Sequence, residues 1–386
     1  MFEKEKRKGV PTRGLLYLMA GIGIGVVGMM IVTMIASRSA RPDVEPTTLP
    51  VIPTPAMGVT GTADAQTVFI PQIVVNDPAV LKSFAVSESS QQVALAYWNG
   101  FNSVLQLRSW DDGHIGKTPV ITLTEAEYQN LSFNPVQPAL AASSGQRTSL
   151  FDLNTNTLLR TLDGGEGVYS PDGRWFALSQ FNQSVNVYQD SLESMIGSLA
   201  IKGYPYDLAF SPDSQMIAAV TLDRTKAGVV YVEVFSLPDR KPIHLYTLNG
   251  VVASSVVFSP DNIHIAVVVD HSIRVLSLND DEQRYFDVGT PIRHLTIDPS
   301  GRWLAVSGNT PGTEQNRFIT IYSLEEGNAL APELVMTQSI SMNSDIAGLQ
   351  FVDEGLLVGE AWGAITLYRW TGEHWGNPIM AMDSLE

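Results

Sequence analysis

The sequence predicts an all-β domain, a ring of seven four-stranded antiparallel sheets, preceded by one transmembrane helix. A turn sequence is repeated along the chain, a small residue follows each copy at a fixed distance, and no segment after Arg41 has the 3.6-residue period of an amphipathic helix. A repeat of this kind specifies an architecture rather than a reaction. The four clearest turns are Tyr169-Ser170-Pro171-Asp172-Gly173, Phe210-Ser211-Pro212-Asp213-Ser214, Phe258-Ser259-Pro260-Asp261-Asn262 and Ile297-Asp298-Pro299-Ser300-Gly301.

The small residue lies six positions after each turn proline, and aligning the chain on it recovers three weaker copies. The seven small positions are on average about 44 residues apart, which agrees with the ~40–45 residues of a four-stranded blade. Seven copies therefore predict seven blades. The aligned residues are Ala94, Ala141, Ala177, Ala218, Ala266, Ala305 and Gly359.

Each part of the repeat has a physical role. Proline presets φ at the second position of a type I turn, and Asp followed by Gly or Asn suits the next positions, so the turn joins two antiparallel strands. The apolar run around the small residue predicts a second strand that is covered on both faces. An alternating third strand (for example residues 273–277) and a more polar fourth strand (residues 243–248) complete the unit. We expect residues 67–75 to close the ring in the last blade, with residues 377–382 as the alternative.

The aromatic-Ser-Pro-Asp-Gly turn with an alanine six residues after the proline resembles the WD-repeat and WD-repeat-like β-propellers of bacteria, from about Phe84 to the C-terminus. The resemblance implies a seven-bladed β-propeller of four-stranded antiparallel blades. Trp110-Asp111 is the one WD dipeptide at the expected end of a third strand, and no Gly-His pair opens a blade. We therefore do not expect the hydrogen-bond network that these residues build in WD proteins.

Residues 14–36 form an uncharged run of 23 residues. As a helix this run would be roughly 34 Å long, enough to cross a hydrocarbon core of about 30 Å. Residues 1–13 before it have a net charge of +3, which predicts a cytoplasmic N-terminus and an extracytoplasmic propeller at the plasma membrane. A cleavable signal peptide normally has a shorter apolar stretch of about 7–15 residues, so an uncleaved signal-anchor is the preferred interpretation and cleavage the alternative.

Two further features of the N-terminal region bear on organisation. Gly21, Gly25 and Gly28 lie near one face of the predicted helix and suggest a homodimer, although glycine is common in membrane helices in any case. Residues 37–66 are rich in proline and threonine and predict an extended stalk. The propeller is then expected to span residues 67–386.

Composition excludes several classes of function. After Arg41 the chain has 17 basic and 38 acidic residues, and so strong a negative charge repels phosphate backbones, which argues against a nucleic-acid partner. The chain has no cysteine. Disulfides, thiolate metal sites, a cysteine nucleophile and a lipoprotein anchor are therefore excluded.

No motif for catalysis, metal or cofactor binding stands out. The six histidines do not have metal-binding spacing, and no nucleophile elbow, phosphate loop or dinucleotide fingerprint is present. The acidic turns at residues 111–113 and 279–282 suggest calcium only weakly, since turn chemistry already requires Asp, Asn and Gly there. We therefore expect no catalytic residue, no metal and no cofactor.

The repeat alignment places several aromatic and basic residues in the loops of one face. Such residues are enriched at protein–protein hot spots, so the preferred function is a non-catalytic interaction platform for other proteins. The alternatives are that these residues are buried caps of the blade edges, and that the protein is an envelope hydrolase or oxidoreductase with a site in the funnel. Three or more carboxylates or histidines at the channel mouth would favour the enzyme. The predicted partner-binding residues are Tyr97, Trp98, Phe101, Phe181, Tyr204, Tyr206, Arg224 and Trp362, with Lys226 among them.

Overall fold

The computed structural model describes residues 79–98, 100, 103–111, 113–116, 121–125, 128–189, 195–280, 282–309, 317–324, 335–342, 344–370 and 379–382. The predicted basic N-terminus, transmembrane segment with its three glycines, stalk and closing strand at residues 67–75 lie outside these residues. In the part of the chain that is described, the regular elements are all β-strands. That part contains no helix with the length and apolar character needed to span a membrane.

The strands form seven antiparallel sheets, each from one continuous stretch of chain, so the predicted seven blades are confirmed. Blade 1 consists of β1 (Val80–Ser87), β2 (Gln92–Trp98), β3 (Ser103–Asp111), β4 (His114–Ile115) and β5 (Ile121–Glu125), and β4 and β5 share the fourth position because both pair with β3. Blade 2 consists of β6 (Asn130–Phe133), β7 (Ala139–Ser143), β8 (Arg147–Asp152) and β9 (Thr157–Asp163). Blade 3 consists of β10 (Gly167–Tyr169), β11 (Trp175–Gln180), β12 (Ser184–Gln189) and β13 (Met195–Ala200).

The remaining four blades follow the same order. Blade 4 consists of β14 (Tyr204–Phe210), β15 (Met216–Leu222), β16 (Val229–Ser236) and β17 (Lys241–Asn249). Blade 5 consists of β18 (Ala253–Phe258), β19 (His264–Val269), β20 (Ser272–Ser277) and β21 (Gln283–Asp287). Blade 6 consists of β22 (Ile292–Ile297), β23 (Trp303–Asn309), β24 (Arg317–Ser323) and β25 (Val335–Met342). Blade 7 consists of β26 (Ile346–Val352), β27 (Gly355–Glu360), β28 (Ile365–Tyr368) and β29 (Ile379–Met382).

The first strand of each blade lies at the centre of the ring, because each first strand contacts the first strands of the two neighbouring blades. The second strands are covered on both faces, as predicted. All six aligned alanines, from Ala94 to Ala305, are 0% exposed. Apolar cores lie between successive blades; one of them, for example, joins Ala218 of blade 4 to Val256 and Ile265 of blade 5.

The repeated turns connect first to second strands. In each turn the N–H of the last residue donates to the carbonyl of the residue three positions earlier, as in Gly173 N to Ser170 O at 2.9 Å. The Ser170 hydroxyl donates to the Asp172 carboxylate at 2.7 Å and accepts from Trp175 N at 2.9 Å. Serine and aspartate are therefore engaged in hydrogen bonds of the turn itself. The last positions have φ of 70° at Gly173, 58° at Ser214, 61° at Asn262 and 74° at Gly301.

Neighbouring turns are also bonded to each other. Asp172 N of blade 3 donates to Ser214 Oγ of blade 4 at 3.1 Å, and Asp213 N of blade 4 donates to Asn262 Oδ1 of blade 5 at 3.3 Å. A side chain at the left-handed position therefore links one blade to the one before it. Glycine would be less strained at this position, since it adopts positive φ freely, but it would lack the acceptor.

The Ser214 link can be measured directly. Ser214→Ala is expected to lower the free energy of unfolding by about 1–2 kcal/mol, because Asp172 N loses its acceptor while the positive φ is kept. Ser214→Gly loses the same hydrogen bond but removes the strain of the positive φ, so its free energy of unfolding should fall by about 1 kcal/mol less than that of Ser214→Ala. Urea unfolding of both variants checks this order. Equal losses in the two variants would contradict it.

The fourth strand of blade 7 is β29, which pairs with β28. It lies within residues 377–382, the alternative expected for this position, whereas residues 67–75 lie outside the described residues. No strand is shared between the two ends of the described chain, so blades 1 and 7 are joined through the sides of their sheets. The Gln350 side-chain amide makes two hydrogen bonds to the Val86 backbone. Gln350 Nε2 donates to Val86 O at 3.0 Å, and Val86 N donates to Gln350 Oε1 at 2.9 Å. Leu81 N donates to Ala361 O at 2.8 Å.

Candidate functional site

The two faces of the ring differ in exposed apolar surface. We call the face with the repeated turns the turn face, and the face with the loops between second and third strands and between blades the loop face. Of the 13 large hydrophobic side chains exposed in the described residues, six lie on the loop face, six on outer strands and one, Val136, on the turn face. The six on the loop face are Val80, Phe181, Tyr206, Val251, Val252 and Trp362.

Four of the predicted residues come together where blades 3 and 4 meet. Phe181 in the β11–β12 turn stacks on Tyr204 at the start of β14, with ring centroids 5.8 Å apart and an angle of 27°. Tyr206 meets Tyr204 edge-on at 5.9 Å. The Arg224 guanidinium lies 3.7 Å from the centre of the Tyr204 ring. We call these four residues the aromatic cluster.

Local backbone chemistry places the cluster. Gly203 precedes Tyr204, and a Cβ at position 203 would lie 2.6 Å from Thr221 Oγ1 and 2.7 Å from Leu222 O. Only glycine therefore lets the chain enter β14 so close to β15. This close approach brings Tyr204 to the loop that carries Arg224.

Asp223 holds the loop between β15 and β16. Its Oδ1 accepts from Thr225 N at 2.8 Å, Thr225 Oγ1 at 2.7 Å and Lys226 N at 3.1 Å, and its Oδ2 accepts from Tyr231 OH at 3.0 Å. These donors, led by the Thr225 hydroxyl, lower the pKa of Asp223 to about 2. Asp223 is thus a positioning residue for Arg224, and sequence reasoning missed it.

The other predicted site residues do not join the cluster. Tyr97 is 1% exposed and packs in the core between blades 7 and 1, so its expected role in partner binding is corrected to the alternative, a buried cap. Trp98 is half-buried, and Trp362 on blade 7 is 46% exposed with its Nε1 donating to Glu360 at 2.8 Å. Lys226 is exposed beside the cluster. Phe101 lies outside the described residues.

The central channel contains a pair of carboxyl groups that the sequence analysis did not single out. Glu166 lies in the loop before β10, and Asp207 lies in β14; their side chains are partly buried and close enough to interact electrostatically. Glu166 also accepts from Asn130 Nδ2 at 3.2 Å, and Asp207 accepts from Val256 N at 2.7 Å. The pair therefore connects blades 2 to 5. A sequence signal exists, since Asp207 is the one acidic residue in the seven first strands, all of which are described.

The two carboxyl groups titrate as a coupled pair. Burial, followed by the nearby Asp207 charge, raises the pKa of Glu166 well above its usual value. Burial also raises the pKa of Asp207 to about 6, although hydrogen bonds from Val256 N and from Glu166 oppose the rise. The pKa values of both carboxyl groups are therefore raised, and that of Glu166 is raised strongly.

Other side chains connect the first strands in the same way. Ser254 Oγ donates to Ile292 O at 3.3 Å, and His294 Nε2 lies 3.1 Å from Ile346 O. Burial lowers the pKa of His294 to about 4, so the ring is neutral at pH 7. Within the described ranges there is no group of three or more His, Cys, Asp or Glu side chains able to hold a metal ion. The two carboxyl groups are thus part of a set of polar contacts that connect neighbouring blades near their first strands.

Comparisons with known proteins bear on the fold. No family model matches the chain, and no curated protein matches it. Many solved structures do, among them a chain of Kuenenia stuttgartiensis hydrazine synthase, with a TM-score of 0.62 and 11% identity over 80% of this chain and 99% of that chain. At this identity the likeness shows the fold alone. The chain is a seven-bladed β-propeller.

Proposed function

We propose that this protein is a membrane-tethered, non-catalytic platform that binds other proteins through its loop face, on the outer side of the plasma membrane. The aromatic cluster is the observation that carries the proposal. Phe181 is 46% exposed and Tyr206 is 39% exposed, and aromatic residues with arginine are the types that dominate binding energy at protein interfaces. The tether is residues 14–36, and the WD-repeat-like turns are consistent with an interaction module.

The contrast between the two faces supports this role. The turn face is closed by hydrogen bonds within and between the repeated turns and exposes one large apolar side chain among the described residues. The loop face exposes six. Exposed apolar residues that are concentrated on one side of a protein mark an interaction surface.

The absence of cysteine allows a sharp test in intact cells. Asn182→Cys next to Phe181 and Asp239→Cys on the turn face of blade 4 each introduce the sole thiol of the chain, at exposed positions. A membrane-impermeant maleimide carrying a photocrosslinker is expected to label both variants in unbroken cells. Only the variant at position 182 should then crosslink to a partner protein.

Each outcome of this experiment is informative. Labelling that occurs only after cell lysis would contradict the extracytoplasmic placement of the propeller. Labelling of both variants with equal crosslinking, or with none from position 182, would contradict the platform. Loss of the position 182 crosslink on adding Tyr206→Ala would tie the partner to the cluster.

One observation favours the enzyme as a second candidate. Two neighbouring carboxyl groups whose pKa values are raised by burial are an arrangement that acid–base catalysis uses. Asp207→Asn separates the two candidates, since it removes the carboxylate and leaves the loop face unchanged. Loss of a hydrolytic activity in this variant, with the crosslink retained, would favour the enzyme.

A further inference from the structure

Two lysines lie in the loops that carry members of the aromatic cluster. Lys202 in the loop before β14 and Lys226 in the loop after β15 are exposed, as is Arg224 between them. In the described part of the chain none of the three forms an ion pair within 4 Å, although the Lys202 ammonium lies 5.6 Å from the centre of the Tyr231 ring and interacts with the Glu233 carboxylate. The carboxylate in these loops, Asp223, is already satisfied by donors of its own loop and by Tyr231. We call the cluster with the two lysines the cation–aromatic patch.

The geometry of Arg224 defines what the patch can recognise. The guanidinium is stacked on the face of Tyr204 at 3.7 Å, and a stacked guanidinium keeps its N–H donors in the plane of the group, where they match the two oxygens of a carboxylate. The exposed rings of Phe181 and Tyr206 belong to the same cluster. A fitting ligand therefore combines a carboxylate with an apolar side chain close to it.

The charge of the whole domain sharpens this requirement. After Arg41 the chain has 38 acidic residues against 17 basic ones. An acidic partner is thus repelled by most of this surface, and a local group of three cations defines one place where it can bind. Repulsion elsewhere adds specificity to the attraction at the patch.

We propose that the cation–aromatic patch binds an acidic segment of a partner protein in which Asp or Glu residues lie next to aromatic or aliphatic ones. This inference rests on the proposed function and names the chemistry of the partner. The carboxylates pair with Arg224, Lys202 and Lys226, and the apolar side chains pack on Phe181 and Tyr206.

An anionic membrane surface fits the patch less well. Recognition of anionic lipid generally uses clusters of about 4–8 basic residues, each contributing modestly. Here three cations face a strongly acidic domain, and Phe181 is stacked on Tyr204. An acidic peptide with apolar side chains, in contrast, contacts both the basic residues and the aromatic rings of the patch.

The test measures peptide binding to the full chain in nanodiscs of neutral lipid. The probe is a fluorescent peptide of alternating glutamate with phenylalanine or leucine, and its control has lysine in place of glutamate. The acidic peptide should bind and the lysine peptide should not. Arg224→Glu should weaken binding at least about tenfold, as expected for charge-assisted hydrogen bonds.

Two matched variants act as controls. Lys241→Glu reverses an exposed charge on the outer strand of the same blade. Tyr285→Ala removes a ring that is 52% exposed and also contacts an arginine, Arg274 at 4.0 Å, but lies on an outer strand of blade 5. Both should bind the acidic peptide within about twofold of wild type, whereas a loss equal to that of Arg224→Glu would overturn the proposal.

The remaining outcomes separate this inference from the proposed function. Displacement of the peptide by nanodiscs containing phosphatidylglycerol would make the patch a lipid site and overturn the proposal. A crosslink from position 182 in cells, with no binding of the acidic peptide, would overturn the inference and leave the platform standing. Peptide binding through Arg224 with no crosslink in cells would support the inference on the patch and overturn the platform.

Discussion

Replacing Phe84 by alanine is expected to lower the free energy of unfolding by about 3–5 kcal/mol, the usual cost of emptying a buried aromatic site. Phe84 of blade 1 is 8% exposed and lies in the core shared by blades 7 and 1. A Cβ on Gly359 of blade 7 would lie 2.7 Å from the Phe84 ring and 3.1 Å from Leu81. Phe84 therefore packs against the bare backbone of Gly359 at the junction that closes the ring.

A double-mutant cycle tests this contact. Gly359→Ala alone should cost about 1–3 kcal/mol, because its methyl overlaps the Phe84 ring. Combined with Phe84→Ala it should cost less than the sum, since the methyl then occupies the emptied space. The control pair, Phe84→Ala with Ala305→Gly of blade 6, should be additive. Urea unfolding provides the four free energies, and additivity in both pairs would refute the contact.

Glu166→Gln is expected to stabilise the protein at neutral and alkaline pH. The raised pKa of Glu166 means that the folded state holds a proton that the unfolded state releases above its ordinary pKa of about 4.3. Stability from the pair is thus complete below that value and is lost as pH rises through the folded pKa values, of which that of Asp207 is about 6. Glutamine donates to Asp207 without needing a proton.

The gain should therefore depend on pH. Near pH 4 the variant and the wild type should be equally stable, and by pH 8 the variant should be more stable by about 1–3 kcal/mol, since each pH unit contributes about 1.4 kcal/mol per proton. Asp163→Asn, which removes one charge from a side chain that is 92% exposed, is the control. Urea unfolding at several pH values from 4 to 8 tests this prediction. The stability difference between Asp163→Asn and the wild type should not follow the pH dependence expected for Glu166→Gln. A stability gain in Glu166→Gln that does not change with pH would count against a shared proton.

The fold was predictable because its information is local. The bonds of Ser170 and Asp172 form within one turn, and the turn determines where two strands pair. The small residue at positions such as Ala177 reports how closely neighbouring sheets approach, and it is 0% exposed. These patterns recur once per blade, so their number predicted the number of blades.

Ring closure was not predictable from the same signals. Residues 67–75 and residues 377–382 both suit an edge strand by composition, and strand pairing between distant segments depends on where the chain ends meet. In the structure β29 is the fourth strand of blade 7, and contacts of Gln350 and Phe84 join blades 1 and 7. Only the packed ring determines which segment is next to β28.

The candidate site shows the same division. The sequence placed aromatic residues on one face but did not separate buried Tyr97 from exposed Phe181, since burial depends on the neighbouring blade. The approach of Arg224 to Tyr204 depends on Gly203 and on the bonds of Asp223. The coupling of Glu166 and Asp207 requires residues 41 positions apart to lie close together.

By itself the sequence determined the all-β class, the seven four-stranded blades and the structural role of the repeated turns, because these follow from local turn chemistry and strand periodicity. Tertiary structure decided how the ring closes, which aromatic side chains remain exposed beside Arg224, and which carboxyl groups lie close enough to titrate together. Each of these depends on contacts between blades, and such contacts arise only when distant segments pack against one another.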